Sequence, residues 1–402
     1  MPHVSLGTVP EMSPGNAPLP SVAPAVVPST LGTERLAALD WMRGIVMVLM
    51  AVDHSSEAFN AGRLFTDSLF FYQVGTPLPL AQFLTRFITH LCAPTFVFLA
   101  GTGLAFTVER RVAAGERPGT IDRDIATRGI VIALYELWIS WFVVPPGAWL
   151  LQVLYAIGIS FLFMVPLRRL PNGVALGLAL FVIAAGELLV GLSVRLGNDP
   201  AHPPLLLALL VVGGERGPLI IGYPPLHWLA IMLLGWVWGR MLVTKAPSPR
   251  RIARKLALFG TGAVLVFALL RGANGYGNML LYREDQSLVQ WLHVSKYPPS
   301  IAYTALELGI MALLLAGLFR LTLVRPARSE GLLITLGQTP MFFYLLHFPL
   351  LVMASRISGV QHQLGLAATF AGAAGVVIVL YPACRWYRQF KASGQHGWTR
   401  YV

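Results

Sequence analysis

Residues 39–59 read LDWMRGIVMVLMAVDHSSEAF. Most of this stretch is apolar enough for lipid, yet Arg43 lies near its start and Asp53 and His54 near its end. From Arg43 to His54 is 11 residues, about three helical turns and roughly 16 Å, and the two return to within about 20° of the same helix face. Met47 and Met50 lie on the stripe between them. A charge at membrane depth costs about 2.5–3.5 kcal/mol even on insertion scales and marks a site or a pathway. The competing reading is that Arg43 snorkels to one interface while His54 rests at the other.

The rest of the chain has the same apolar character. It has 402 residues, 55% hydrophobic and only 12% charged, against about 25% charged in soluble domains. Such a chain is an all-α polytopic membrane protein. Windows long enough to span the bilayer fall at about 36–54, 82–108, 128–145, 148–167, 173–195, 225–243, 254–270, 300–324, 331–355 and 364–386. That predicts about ten transmembrane helices in one domain, residues 34–390, after a disordered Pro/Ala/Ser-rich tail (1–33) that lacks signal-peptide features. Residues 391–402 are read as a closing cytoplasmic tail. The run LLLALLVVG (205–213) is too short to span and is expected at the interface or re-entrant.

The net charge of +12 is not a nucleic-acid signature, because Lys and Arg cluster in alternate loops. Segments 109–128 and 240–255, the turns near 168 and 325, and the C-terminus are basic; the other loops are poorer for their length. The positive-inside rule then puts both termini in the cytoplasm; the expected localisation is the inner membrane, multi-pass. Cys92 and Cys384 have no metal-ligand spacing, so no metal is expected; they read as small packing residues.

His54, His90 and His347 fall on three different spans at similar expected depth. Three imidazoles at one level suit proton transfer near neutral pH. Glu136, Glu187 and Glu307 also lie within spans and read as interhelical polar ties. Glu57, one turn after His54, and Asp53 beside it are candidates to hold the His54 tautomer. YPPLHW (223–228) and YPPSIAY (297–303) each open a helix; Tyr297 and Ser300 in the second are assigned, with Glu57, to substrate binding.

The stretches LDWMRGIVMVLMAVDH, THLCAPTFVFLAG, YPPSIAYTALELG and LGQTPMFFYLLHFPLL resemble the bacterial relatives of heparan-α-glucosaminide N-acetyltransferase, over roughly residues 34–388. The Arg-Gly pair with a histidine eleven residues after the arginine is also similar to the wider superfamily of membrane acyltransferases. In the lysosomal enzyme an asparagine stands where His54 stands here, so His54 matches the wider superfamily's histidine. The resemblance implies an acetyltransferase that takes acetyl-CoA from the cytoplasmic side and delivers the acetyl group to a glycan or sugar across the membrane. Arg43, with Arg123 and Arg128, would hold CoA phosphates. His54 would be general base or transient nucleophile, with Asp53, His90 and His347 in support. Expected partners are the bilayer, acetyl-CoA and the acceptor, with a homodimer as the oligomer considered. The alternative is a proton-coupled secondary transporter or flippase that uses the same His and Glu residues.

Overall fold

The computed structural model describes residues 33–68, 70–196, 203–324, 330–394, 397 and 399. The expected disordered tail therefore lies outside the described residues, apart from Thr33, which opens a helix. Half of the closing tail and the basic residues Arg325 and Arg328 lie outside them too.

The described residues are mainly helical, with three short strands. In order, the chain forms α1 (Thr33–Phe59), α2 (Leu80–Thr89), α3 (Cys92–Ala113), α4 (Pro118–Val143), strand β1 (Trp149–Leu151), α5 (Val153–Leu167) and α6 (Asn172–Leu196). A short α7 (Leu205–Leu207) runs into a π-helical turn (Ala208–Val212), then β2 (Gly214–Arg216) and β3 (Leu219–Ile221). The second half comprises α8 (Pro225–Lys245), α9 (Pro249–Ala273), α10 (Leu288–Leu292), α11 (Ile301–Val324), α12 (Leu332–Gln338), α13 (Pro340–Ile357) and α14 (Leu366–Ala392).

Among the described residues, eight helical stretches are long and apolar enough to cross a membrane, counting Leu80–Ala113 as one. Two of the expected windows are not among them. The 27-residue α1 has ample length but carries Asp40, Arg43, Asp53 and Glu57. These polar groups are tolerable because α1 lies inside the bundle, packed against α3, α11, α12, α13 and α14. The 15-residue α5 is shorter than the ~20 residues a full span needs.

Three expected helices are interrupted, each for a local reason. The window at 148–167 begins instead as β1, which pairs parallel with β3, Trp149 opposite Leu219; β2 pairs antiparallel with β3. This small sheet, following the Pro145-Pro146-Gly147 turn, departs from an all-helical chain. The window at 82–108 breaks at His90–Leu91, so His90 ends α2 instead of lying inside a continuous helix. Pro94 has no N–H for the His90 carbonyl, and Tyr303 Oη donates to that carbonyl at 3.1 Å. The window at 331–355 breaks at Thr339, whose backbone is pushed out of the helical region by Pro340. In α13, Pro349 likewise frees the Leu345 carbonyl, which accepts from Trp138 Nε1 at 3.0 Å.

Close packing seats α1. A Cβ on Gly337 of α12 would overlap the Asp40 carbonyl, and one on Gly44 would overlap the Leu333 carbonyl. Two glycines thus bring α12 onto α1 at backbone contact distance, beside Arg43.

Candidate active site

Two cavities lie along α1. The larger, of about 420 Å³, has Arg43, Arg128 and Lys391 at its polar end and Met47 and Met50 along its wall. The smaller, about 40 Å³, is lined by Asp53, His54, Gln152, Tyr223 and Lys296 among others. Both are lined by Met50, Phe96, Val153 and Tyr344. The Arg43-to-His54 stripe therefore faces two neighbouring cavities that share four lining residues, Arg43 lining the larger and His54 the smaller.

At the basic end, Arg43 bonds Asp40 Oδ1 at 3.0 Å, and Gln338 Nε2 donates to Asp40 Oδ2 at 3.0 Å. The Arg128 guanidinium lies 5.5 Å over the Phe161 ring, and its Nε is buried without a hydrogen-bond partner. A buried, unmatched arginine donor beside an open cavity fits an anion. Lys391 is the third cation here. Arg123, by contrast, is exposed and lines neither cavity.

At the other end two imidazoles meet. His54 Nδ1 lies 2.8 Å from His347 Nε2. His347 Nδ1 faces the Phe343 and Tyr344 carbonyls at 2.9 and 3.0 Å. A carbonyl can only accept, so the neutral His347 ring carries its proton on Nδ1 and accepts at Nε2. His54 must then donate from Nδ1, which leaves its Nε2 as the unprotonated, basic nitrogen. Phe348 stacks on the His54 ring with centroids 3.9 Å apart, fixing its plane.

The carboxylates near His54 are engaged elsewhere. Asp53 Oδ1 accepts from Arg86 Nη1 at 2.7 Å, Thr89 Oγ1 at 3.0 Å and Arg63 Nη1 at 3.1 Å. Glu57 pairs with Arg63 Nε at 2.7 Å. Neither holds the His54 Nδ1 proton, as the sequence reading had them do; His347 does. Arg86 also bonds Asp67 through Nε and Nη2, at 2.7 and 2.6 Å. Burial opposes ionisation of Asp67, but Arg86 and then His90 hold its carboxyl well below the usual range.

His90 Nε2 is 3.2 Å from Asp67 Oδ2, and His90 lines neither cavity. It sits behind Asp53 through the Arg86–Asp67 link, so only His54 and His347 of the three histidines touch. Tyr297 Oη accepts from Arg86 Nη2 at 3.2 Å and lies 3.3 Å from Tyr223 Oη. Ser300 is buried, and its Oγ accepts the Tyr303 N–H at 2.9 Å. That is a helix cap at the start of α11, and Ser300 lines neither cavity. Glu136 accepts the Tyr155 N–H at the start of α5, and Glu187 accepts the Gly277 N–H; both are structural ties, as expected. Glu307 is buried with Oε1 unpartnered.

Sequence reasoning missed Arg63, Asp67, Arg86, Lys296, Tyr344 and Lys391. Arg86 carried a usable signal: an arginine one helical turn before His90, inside a span, needs an acidic partner. Lys391 had been counted only as a topology charge. Among the described residues no group of His, Cys, Asp and Glu has the arrangement to hold a metal ion, and both cysteines are buried free thiols.

Comparison with protein families matches residues 35–270 to the one described as "Heparan-alpha-glucosaminide N-acetyltransferase, catalytic". No match was found among curated proteins. The matched span holds Arg43, Arg128 and His54 but ends before His347 and Lys296.

Proposed function

Because the chain belongs to the heparan-alpha-glucosaminide N-acetyltransferase catalytic family, we propose that it transfers an acetyl group from cytoplasmic acetyl-CoA to a glycan or sugar acceptor on the far side of the inner membrane. The observation that supports this reading is the pair of neighbouring cavities along α1, one lined by Arg43, Arg128 and Lys391 and the other by His54, with four lining residues in common. In the first, Arg43, Arg128 and Lys391 face the cytoplasm and hold the phosphates of the donor's nucleotide end. The apolar walls at Met47 and Met50 fit a slim pantetheine arm and exclude water. The bound donor supplies a thioester near His54.

His54 Nε2 takes the proton of the acceptor amine or hydroxyl as that atom attacks. His347 fixes the tautomer that leaves Nε2 basic. Asp53, locked by Arg63, Arg86 and Thr89, supports the imidazolium that forms through charge, without touching the reacting atoms. Proton return from His54 to the leaving sulfur completes the transfer. In this topology both termini are cytoplasmic and about ten segments span the bilayer, with α1 and α5 completing the set.

The test is His54→Ala in purified protein, with acetyl transfer to glucosamine followed by released thiol. Transfer should fall to background while acetyl-CoA still binds. A variant that keeps full activity would remove His54 from the mechanism, and no saturable acetyl-CoA binding to the native protein would remove the donor assignment.

A further inference from the structure

Lys296 sits in the short loop between α10 and α11, beyond the matched family span, and the proposed mechanism has not used it. Its residue is only 2% exposed, and it lines the small cavity with His54. Its backbone is held in place, since the Lys296 N–H donates to the Asp67 carbonyl at 2.8 Å. Its ammonium lies 5.2 Å from the Tyr297 ring centroid. Among the described residues no carboxylate lies within ion-pairing distance of it.

A buried cation of this kind is costly unless its charge is balanced. The balance is present nearby. Asp53, Glu57 and Asp67 carry three negative charges, and Arg63 and Arg86 bond them with only two positive ones. Lys296 neutralises the cluster in sum while its donors stay uncommitted to any member. A lysine has three N–H donors and no acceptor capacity. One held beside a basic imidazole, in a cavity the size of one or two waters, is arranged to receive negative charge that forms there.

We propose that Lys296 is a further catalytic residue, whose ammonium donates to the carbonyl oxygen of the acetyl group as transfer proceeds. This rests on the acetyltransferase reading above. When the acceptor atom bonds to the carbonyl carbon, the C=O π pair moves onto oxygen and the acceptor's proton moves to His54 Nε2. Lys296 stabilises the oxyanion without giving up its proton. The pair then returns to carbon, the C–S bond breaks, and the leaving sulfur takes the proton back from His54. Such pre-placed donors act where charge develops and contribute little to ground-state binding.

The test compares native protein with Lys296→Met and Lys296→Arg, using acetyl-CoA and glucosamine. Thiol release is measured in single turnover, and CoA affinity by equilibrium binding. Lys296→Met should lose about 10²–10³-fold in kcat, with acetyl-CoA affinity unchanged, because the cationic mouth is untouched. Lys296→Arg keeps a cation and should recover part of the rate. A folded Lys296→Met with native kcat overturns the proposal and leaves the acetyltransferase reading standing. Equal losses in Met and Arg variants accompanied by lost CoA binding would mark Lys296 as structural and also overturn it. Native protein that binds CoA but releases no thiol overturns the reading on which it rests.

Discussion

His347→Phe isolates the imidazole pair from everything else in the site. Phenylalanine keeps a flat ring between Phe343, whose centroid is 4.8 Å from that of His347, and His54 at 4.9 Å. It removes the acceptor for His54 Nδ1–H, now made at 2.8 Å, together with the Nδ1–H that faces the Phe343 and Tyr344 carbonyls of its own helix. A buried donor left without a partner costs about 1–3 kcal/mol. That cost falls only on the productive tautomer, because the alternative moves the proton from Nδ1 to Nε2. At 1.36 kcal/mol per factor of ten, the productive form, and with it kcat, should drop roughly 5- to 150-fold. His347 lines neither cavity, so acetyl-CoA affinity should stay within about twofold. The assay is single-turnover thiol release at saturating acetyl-CoA, paired with equilibrium binding. His347→Gln, whose amide oxygen can accept, should recover part of the loss. A folded His347→Phe protein with native affinity and native kcat would refute the tautomer argument.

Three other outcomes are expected. Arg43→Ala and Arg128→Ala should each weaken acetyl-CoA binding by about 10–100-fold, the range for a charge-assisted bond, with little change in saturated rate; titration calorimetry at two salt concentrations checks this, since the loss should shrink at high salt. Arg86→Met leaves Asp53 and Asp67 buried with much of their compensation gone, which should destabilise the fold by about 3–5 kcal/mol, read as a lowered melting temperature in detergent. Gly337→Ala forces α12 off the Asp40 carbonyl and should both lower stability by about 1–3 kcal/mol and weaken acetyl-CoA binding; native values for both would show that α12 can shift freely.

The helices and the seam along α1 were legible because both depend on local periodicity: an apolar run of given length, and an 11-residue spacing that returns to one face. The interruptions were only half legible. Pro94 and Pro340 stand in the sequence, but a proline ends a helix cleanly only where something takes the freed carbonyl, and Tyr303 lies over two hundred positions from His90. The small sheet had no strong signal, because each strand is three residues long. The cluster behind His54 was the least legible part. Asp67 and Lys296 come from loops, and loops have no period to show which side chains fold inward. Expecting Asp53 to hold His54 followed adjacency in sequence, whereas neighbours in a helix point about 100° apart. The true partner, His347, is 293 positions away.

The arrangement of charge along α1 has a consequence for where transfer takes place. Cations and carboxylates gather at its two ends, and the stretch between them presents Met47 and Met50 to the larger cavity. Water and small ions crossing this stretch lose hydration without replacement, whereas a thin apolar arm does not. The ionic cluster at the His54 end is closed on itself, with Asp53 taken by three donors and Asp67 gripped by Arg86. Ion-paired networks of this type hold their charges in place before the substrate arrives, so little reorganisation is needed when charge develops. Among the described residues lining the small cavity there, His54 offers a base at Nε2, and the Lys296 ammonium and the buried, unpartnered Tyr344 hydroxyl offer donors. Acyl transfer needs one of each, facing the same small space.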